Sequence, residues 1–221
     1  MHLRFKSVHL WTIFVLIFTL GHRPIAVAQS GPFLVKPYLQ LGNNPNLSEK
    51  ESLVLAWHST DKMDNWKVEI KHANQSTWIT MPQVESRRVT MPTIEPHIIW
   101  KSVLNDLVPG EDLSYQVKLG DSVVFTGHAR ARKSAKQPFK FVVFGDCAEG
   151  TVGQKQIAVQ ANTLNPDFIF IPGDIVYTHG SISEYRKQFF PIYNTETPNV
   201  NEGAPLLRNT LFMSALGNHD V

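Results

Sequence analysis

One cysteine in 221 residues, Cys147, means that no disulfide can form within the chain, so stability has to come from packing. Low-complexity signals are missing as well, since 13 glycines and 14 prolines are too few for a collagenous or Pro/Gly-rich polymer. Charge is scarce and nearly balanced. Only 18% of residues are charged against 43% hydrophobic, which excludes a disordered acidic or basic chain. The formal charge of +2 misleads, because three of the 21 basic residues (Arg4, Lys6 and Arg23) fall in the first 28 positions, which hold no Asp or Glu. The remaining 18 basic residues against 19 acidic ones carry no nucleic-acid footprint. Long apolar runs are lacking too. Residues 10–20 (LWTIFVLIFTL) make a run of 11, well short of the ~20 a membrane-spanning helix needs.

That run has Arg4 and Lys6 ahead of it and Ala26-Val27-Ala28 behind it, the pattern of an export signal over residues 1–28, cleaved after Ala28. The protein is therefore expected outside the cytoplasm, extracellular or periplasmic, with no stable membrane insertion. An uncleaved anchor is the competing reading.

From 32 to 132 the pattern is all β. Leu53, Leu55 and Trp57 alternate at period two, as do Val68 and Ile70, then Tyr115, Val117 and Leu119, then Val123 and Phe125. Turn-rich segments at 42–46, 72–76 and 109–112 separate them. Short strands at this spacing predict a sandwich, and Tyr115 after Pro109-Gly110 fits a corner tyrosine whose hydroxyl returns to the backbone. Residues 133–138 form a polar linker. Beyond it, 139–144 and 167–171 read as apolar strands around a helix over 153–164 with Ile157, Val159, Ala161 and Leu164 among its apolar positions. That is a βαβ unit. A second helical stretch over 183–190 and a third strand over 210–216 follow.

Each of the three strands ends in a glycine and a polar residue: Gly145-Asp146, Gly173-Asp174 with Tyr177 three residues on, and Gly217-Asn218-His219-Asp220. Functional groups gather beyond the carboxyl ends of parallel strands. The glycine is expected to supply the sharp turn. Carboxylate, phenol, amide and imidazole suit hard-to-borderline cations, and a carboxylate such as Asp174 can bridge two of them. One such pair is an ordinary turn; three at successive strand ends are a constellation. Asp220 by itself reads as a solvated carboxylate or a helix cap.

These blocks resemble the first three motifs of the calcineurin-like metallophosphoesterases. Tyr177 in the second block points to the purple acid phosphatase branch. The region from Lys36-Pro37-Tyr38-Leu39-Gln40 onward is similar to that branch's fibronectin type III-like N-terminal domain. The resemblance implies such a β-sandwich (32–132) followed by the first part of an αββα metallophosphoesterase sandwich (139–221). It implies a binuclear centre, Fe(III) with Zn(II), Mn(II) or Fe(II). Asp146 and Tyr177 would hold the first metal, Asp174 would bridge, Asn218 would hold the second, and His219 would act on the phosphoryl or leaving-group oxygens. The implied reaction is acid hydrolysis of phosphate monoesters by metal-bound hydroxide, on a small molecule or a phosphoprotein, and a homodimer is compatible with it.

Several features depart from that pattern. Cys147 and Glu149 follow Asp146 where a glycine is common; they read as a small buried residue and a loop carboxylate facing water. His179 and Arg208 are candidate substrate contacts. The family continues with a further sheet half carrying a lone histidine and a GHxH motif, whereas none of the nine histidines here follows residue 219. A fragment, a terminated product and a remnant are all open, with weak metal binding and little or no turnover expected of the chain by itself. A catalytically inactive extracellular binding module and a phosphodiesterase or nucleotidase of the same superfamily are the alternative readings.

Overall fold

The computed structural model describes residues 31–42, 50–92 and 94–221. The expected export signal over 1–28 and most of the turn at 42–46 lie outside the described residues. The chain is β-rich first and mixed α/β afterwards. Eight strands come first: β1 (Val35–Leu41), β2 (Glu51–Thr60), β3 (Trp66–His72), β4 (Ile79–Thr80), β5 (Glu85–Met91), β6 (Ile94–Leu107), β7 (Asp112–Leu119) and β8 (Ser122–Arg130). They form two antiparallel four-stranded sheets, β1-β2-β6-β5 and β4-β3-β7-β8.

Period-two alternation explains how the sheets meet. Leu53, Leu55, Trp57, Val68, Tyr115 and Val117 are fully buried between them. Trp57 packs edge-on to Trp66 at 5.5 Å and stacks on Trp100 at 6.5 Å, while the Trp100 indole N–H donates to Ser59 Oγ. No strand was legible at β5, because nearly every side chain on it is exposed and a strand without a buried face has no alternation. Its Glu85, Arg87 and Arg88 instead charge an edge that would otherwise pair with another chain.

The second part is β9 (Phe141–Val143), α1 (Val152–Thr163), β10 (Phe168–Ile171), the short helices α2 (Ile182–Glu184), α3 (Phe190–Tyr193) and α4 (Leu206–Asn209), and β11 (Leu211–Ser214). The three strands pair in parallel in the order β11-β10-β9. They are shorter than the apolar runs that encode them. Thr151 caps α1 by accepting the Gln154 amide hydrogen. The buried face of α1 is Gln154, Ala158 and Ala161, whereas Ile157 and Leu164 point outward, contrary to expectation. The single helix expected over 183–190 is broken. Residues Tyr185–Phe189 form a π-helical turn in which the Phe190 amide donates to the Tyr185 carbonyl, next to Pro191, which has no amide to donate.

Register puts Phe168 beside Phe141 and Leu211, and Phe170 beside Val143 and Met213, all on one face. Ile169 and Ile171 face the opposite way, into a core shared with the helices. Among the described residues no helix covers the first face, and Phe141, Val143 and Phe170 are exposed there. A parallel sheet is ordinarily covered on both sides. No described helix is long and apolar enough to cross a membrane.

A polar knot ties the two parts together. Tyr115 does not return to its own upstream backbone as a corner tyrosine would; its hydroxyl donates to the Arg208 carbonyl at 2.8 Å. Gly127 on β8 lies against the Tyr115 ring and hydroxyl, where any Cβ would collide. The buried Arg208 guanidinium donates to Asn194 and Glu196 and stacks 4.6 Å over the Phe125 ring. Glu196 also accepts from Lys36 at 2.7 Å, and Asn194 donates to the Pro37 carbonyl.

Tyr115→Phe should cost about 1–2 kcal/mol, because it leaves the Arg208 carbonyl without its donor, as read from chemical denaturation at unchanged m-value. Hydrogen bonds from Arg208 and Lys36 hold the Glu196 carboxyl at about 2, below its ordinary 4.5. A depressed carboxylate stabilises above its unfolded value and loses that contribution as pH falls through its folded value. Glu196 should therefore contribute fully above about pH 4.5 and progressively less towards pH 2. Its side chain is 68% exposed. Solvent screening limits the effect to about 1 kcal/mol or less. Glu196→Gln should flatten the melting temperature across that window; an unchanged acid profile would sink the assignment.

Candidate metal centre

The centre is built on the carboxyl ends of β9, β10 and β11. Asp146 and Asp174 both take left-handed backbone angles, φ 50° and 51°. At the first motif the turn is made by Asp146 itself, a conformation that short polar side chains tolerate, whereas at the second Gly173, at φ 152°, supplies it together with Asp174. Gly217 is needed for another reason: a Cβ there would run into the backbone and carboxylate of Asp174. Backbone amides lace the loops together, Asp146 N to Gly173 O and Cys147 N to Asp174 O.

Four of the expected residues are in direct contact. The Tyr177 hydroxyl donates to Asp146 Oδ1 at 2.6 Å and lies 3.4 Å from Asp174 Oδ2. The His219 backbone amide donates to Asp174 Oδ1 at 3.0 Å, and its ring sits 4.6 Å from the Tyr177 ring. The hydrogen bond to Asp146, with burial and the Asp174 charge adding to it, pushes the Tyr177 phenol well above its usual range. Asn218 is exposed on the same loop as His219, and its amide bonds to none of these side chains among the described residues.

Two expected substrate contacts stand elsewhere. The Arg208 fork is spent on Asn194 and Glu196 in the buried knot. The His179 side chain is 83% exposed and 3.7 Å from Glu184. Glu149 is an exposed loop carboxylate. Cys147 is buried, its thiol directed at the Ile175 carbonyl, and burial pushes it up to about 12. No thiolate ligand is available there.

Two organising carboxylates were missed. Asp220 is neither solvated nor a helix cap. It accepts from the Ile175, Val176 and Gly217 amides, binding the second motif loop to the third. Burial raises its carboxyl, but these backbone hydrogen bonds outweigh that and hold it low. Glu184 closes a capping box with Ser181 and also accepts from the Thr178 and His179 amides, folding the loop after Tyr177. The Ser-x-x-Glu spacing of 181–184 was the available signal. No local pattern marks the bonds of Asp220 to the Ile175 and Val176 amides, about 45 residues away.

The donor set suits one hard or borderline cation. Two carboxylates converge on a phenol whose proton such a cation could replace, and an amide sits on the adjoining loop. A second cation is less well provided for. Among the described residues no group of three or more His, Cys, Asp or Glu side chains is assembled to hold a metal.

Comparison with known proteins bears on the fold. No family model matches the chain. No curated protein matches it in sequence. Among solved structures, it is similar to the purple acid phosphatase PPD1 from yellow lupin (Lupinus luteus) seeds, with TM-score 0.61 and 19% identity over 83% of this chain and 35% of that one. It is also similar to PhoD, with TM-score 0.51 and 15% identity over 86% of this chain and 40% of that one. The chain therefore spans well under half the length of either structure. At these identities the likeness is one of fold alone.

Asp220→Asn keeps the shape but weakens the acceptor for three amides. We expect a loss of about 1–3 kcal/mol in stability. Hydrogen exchange should quicken at the Ile175 and Gly217 amides, while β2 and β7 stay protected. Unchanged exchange at both amides would rule out the organising role.

Proposed function

We propose that this chain is an exported two-part protein whose strand-end loops form half of a metallophosphoesterase-type centre. By itself it binds a single cation and works as a binding module without turning over phosphate esters. The observation that carries this reading is the convergence of Tyr177 on Asp146 and Asp174 at the ends of adjacent parallel strands. The fibronectin type III-like character of the sandwich, the limits 32–132 and 139–221, and cleavage after Ala28 belong to the same proposal.

In this reading Asp146, Asp174 and Tyr177 would hold that cation, Fe(III), while Asn218 on the adjoining loop is too little by itself to hold a second, Zn(II), Mn(II) or Fe(II). Such cations, when bound, neutralise phosphate charge and acidify a water. The chain's own residues do the positioning. The His219 amide fixes one oxygen of Asp174, and Nδ1 of the same imidazole lies 3.4 Å from the Thr178 carbonyl, which orients the ring. Its other nitrogen is then free to exchange a proton with a leaving oxygen. Among the described residues no group of three or more His, Cys, Asp or Glu side chains is assembled to hold a metal, and that favours the binding module over hydrolysis of phosphate monoesters, the reaction implied by the motif order.

Titration with Fe(III), Zn(II) and Mn(II) should reach about one equivalent, with Asp174→Asn and Tyr177→Phe each weakening binding at least about tenfold. The Fe(III) form should absorb in the visible through its phenolate, and Tyr177→Phe should not. Assayed alongside, a phosphate monoester, a diester and a nucleotide should show no turnover above a metal-only blank. Turnover abolished by Asp174→Asn would install the hydrolase instead, with the preferred ester naming its class. Absence of any metal binding would leave a plain sandwich module.

A further inference from the structure

A cavity of about 760 Å³ lies between the start of β1 and the π-helical turn, away from Asp146 and Tyr177. Phe33, Phe190 and Ile192 give it an apolar wall. Arg186, on the π-helical turn, lines it together with Lys36, Lys155 and Lys187. Three glutamates also line it, but Glu196 is already shared between Lys36 and Arg208, and Glu149 and Glu202 make no bond to Arg186.

Arg186 is the anomaly. Its Nε and Nη2 atoms are buried and have no hydrogen-bond partner among the described residues. Nearby, the buried His58 also leaves Nδ1 without a partner. Burial, with the Arg186, His97 and Arg87 charges adding to it, pushes the His58 imidazole down to about 3. No carboxylate is hydrogen-bonded to Nε or Nη2 of this guanidinium among the described residues, although three glutamates line the same cavity. Arg208, a short distance along the chain, shows the contrast, because its Nε and both terminal nitrogens are bonded to Asn194 and Glu196. Leaving a buried charged edge unmatched is costly, and native proteins ordinarily satisfy it with protein, water or ligand. The Nε–Nη2 edge is also the side of arginine that meets an oxyanion with two parallel hydrogen bonds.

We propose that this cavity binds an organic anion, a carboxylate or phosphate ester with an apolar body. The oxyanion takes the Nε–Nη2 edge of Arg186 after a small turn of the guanidinium towards the space it lines. The apolar body lies along Phe33, Phe190 and Ile192. The cavity volume falls within the range of small-molecule sites. Asp146, Asp174, Tyr177 and His219 are not among the residues lining the cavity, so neither proposal depends on the other.

The test uses metal-free protein, with hexanoate, hexyl phosphate and inorganic phosphate followed by calorimetry and thermal shift. Saturable one-to-one binding is expected, with hexyl phosphate about tenfold or more tighter than inorganic phosphate because its chain is buried. Whichever of hexanoate and hexyl phosphate binds tighter identifies the head group. Arg186→Met should weaken binding at least about tenfold without lowering the ligand-free melting temperature, since it removes an unmatched charge. If that variant does not fold, Arg186→Lys keeps the charge without the fork and should still bind several-fold more weakly. No saturable binding of any probe, or undiminished binding by either variant, overturns the proposal.

Discussion

The candidate centre depends on one carboxylate that takes no part in the expected ligand set. Asp220 accepts amides from Ile175, Val176 and Gly217, and so fixes the second and third motif loops to each other. Without an anion there, these donors would face one another with nothing between them. With it, charge-assisted hydrogen bonds replace water at several amides at once. Asp174 is held from the same side by the His219 amide, and only then does its other oxygen lie within reach of Tyr177. The left-handed angles at Asp146 and Asp174 are strained for residues with side chains, and this lattice of amide bonds holds them there.

The sandwich is part of the same construction. β2 is buried on both faces, with Leu53, Leu55 and Trp57 turned to the sandwich core and Ala56 and His58 turned to the helices. Phe190 packs against Tyr38 and His58, so the segment carrying the π-helical turn rests on β1 and β2. That segment reaches the centre in turn. With its amide oriented to match donors to acceptors, Gln188 spans the Ala148 and Tyr177 carbonyls. Through Arg208 and Tyr115 the strand opposite is tied in as well. The geometry at Tyr177 is therefore set by packing that begins in the other half of the chain.

How much of this was legible in the sequence follows from the range of each interaction. Burial of Leu53, Leu55, Trp57, Val68 and Tyr115 is a period-two property and could be read directly. The meeting of Asp146, Asp174, Tyr177 and His219 was legible because parallel strands bring their carboxyl ends together. β5 was not, since an edge strand with exposed faces leaves no alternation. The broken helix at 183–190 hinged on Pro191, whose missing amide was visible but whose π-helical remedy was not. The protein partners of Arg208 were not legible, because a guanidinium suits a phosphate and a buried amide-carboxylate pair equally well, and sequence does not say which lies beside it. Asp220 and the Tyr115–Arg208 bond rest on partners about 45 and 93 residues away, beyond any local pattern.

Arg208 and Arg186 together show what such long-range contacts decide. Both sit in the helical half and pack against the sandwich, and both lose water on folding. Arg208 regains every bond it gives up, from an amide, a backbone carbonyl and a carboxylate, with an aromatic ring beneath it. It behaves as a structural group, and the carboxylate it meets is correspondingly held ionised. Arg186 regains none at Nε or Nη2, and its side chain lines a cavity with room for a ligand. A fold that satisfies one guanidinium so fully does not lack the means to satisfy the other. The difference lies in what each side chain was placed to meet, protein for Arg208 and a bound anion for Arg186.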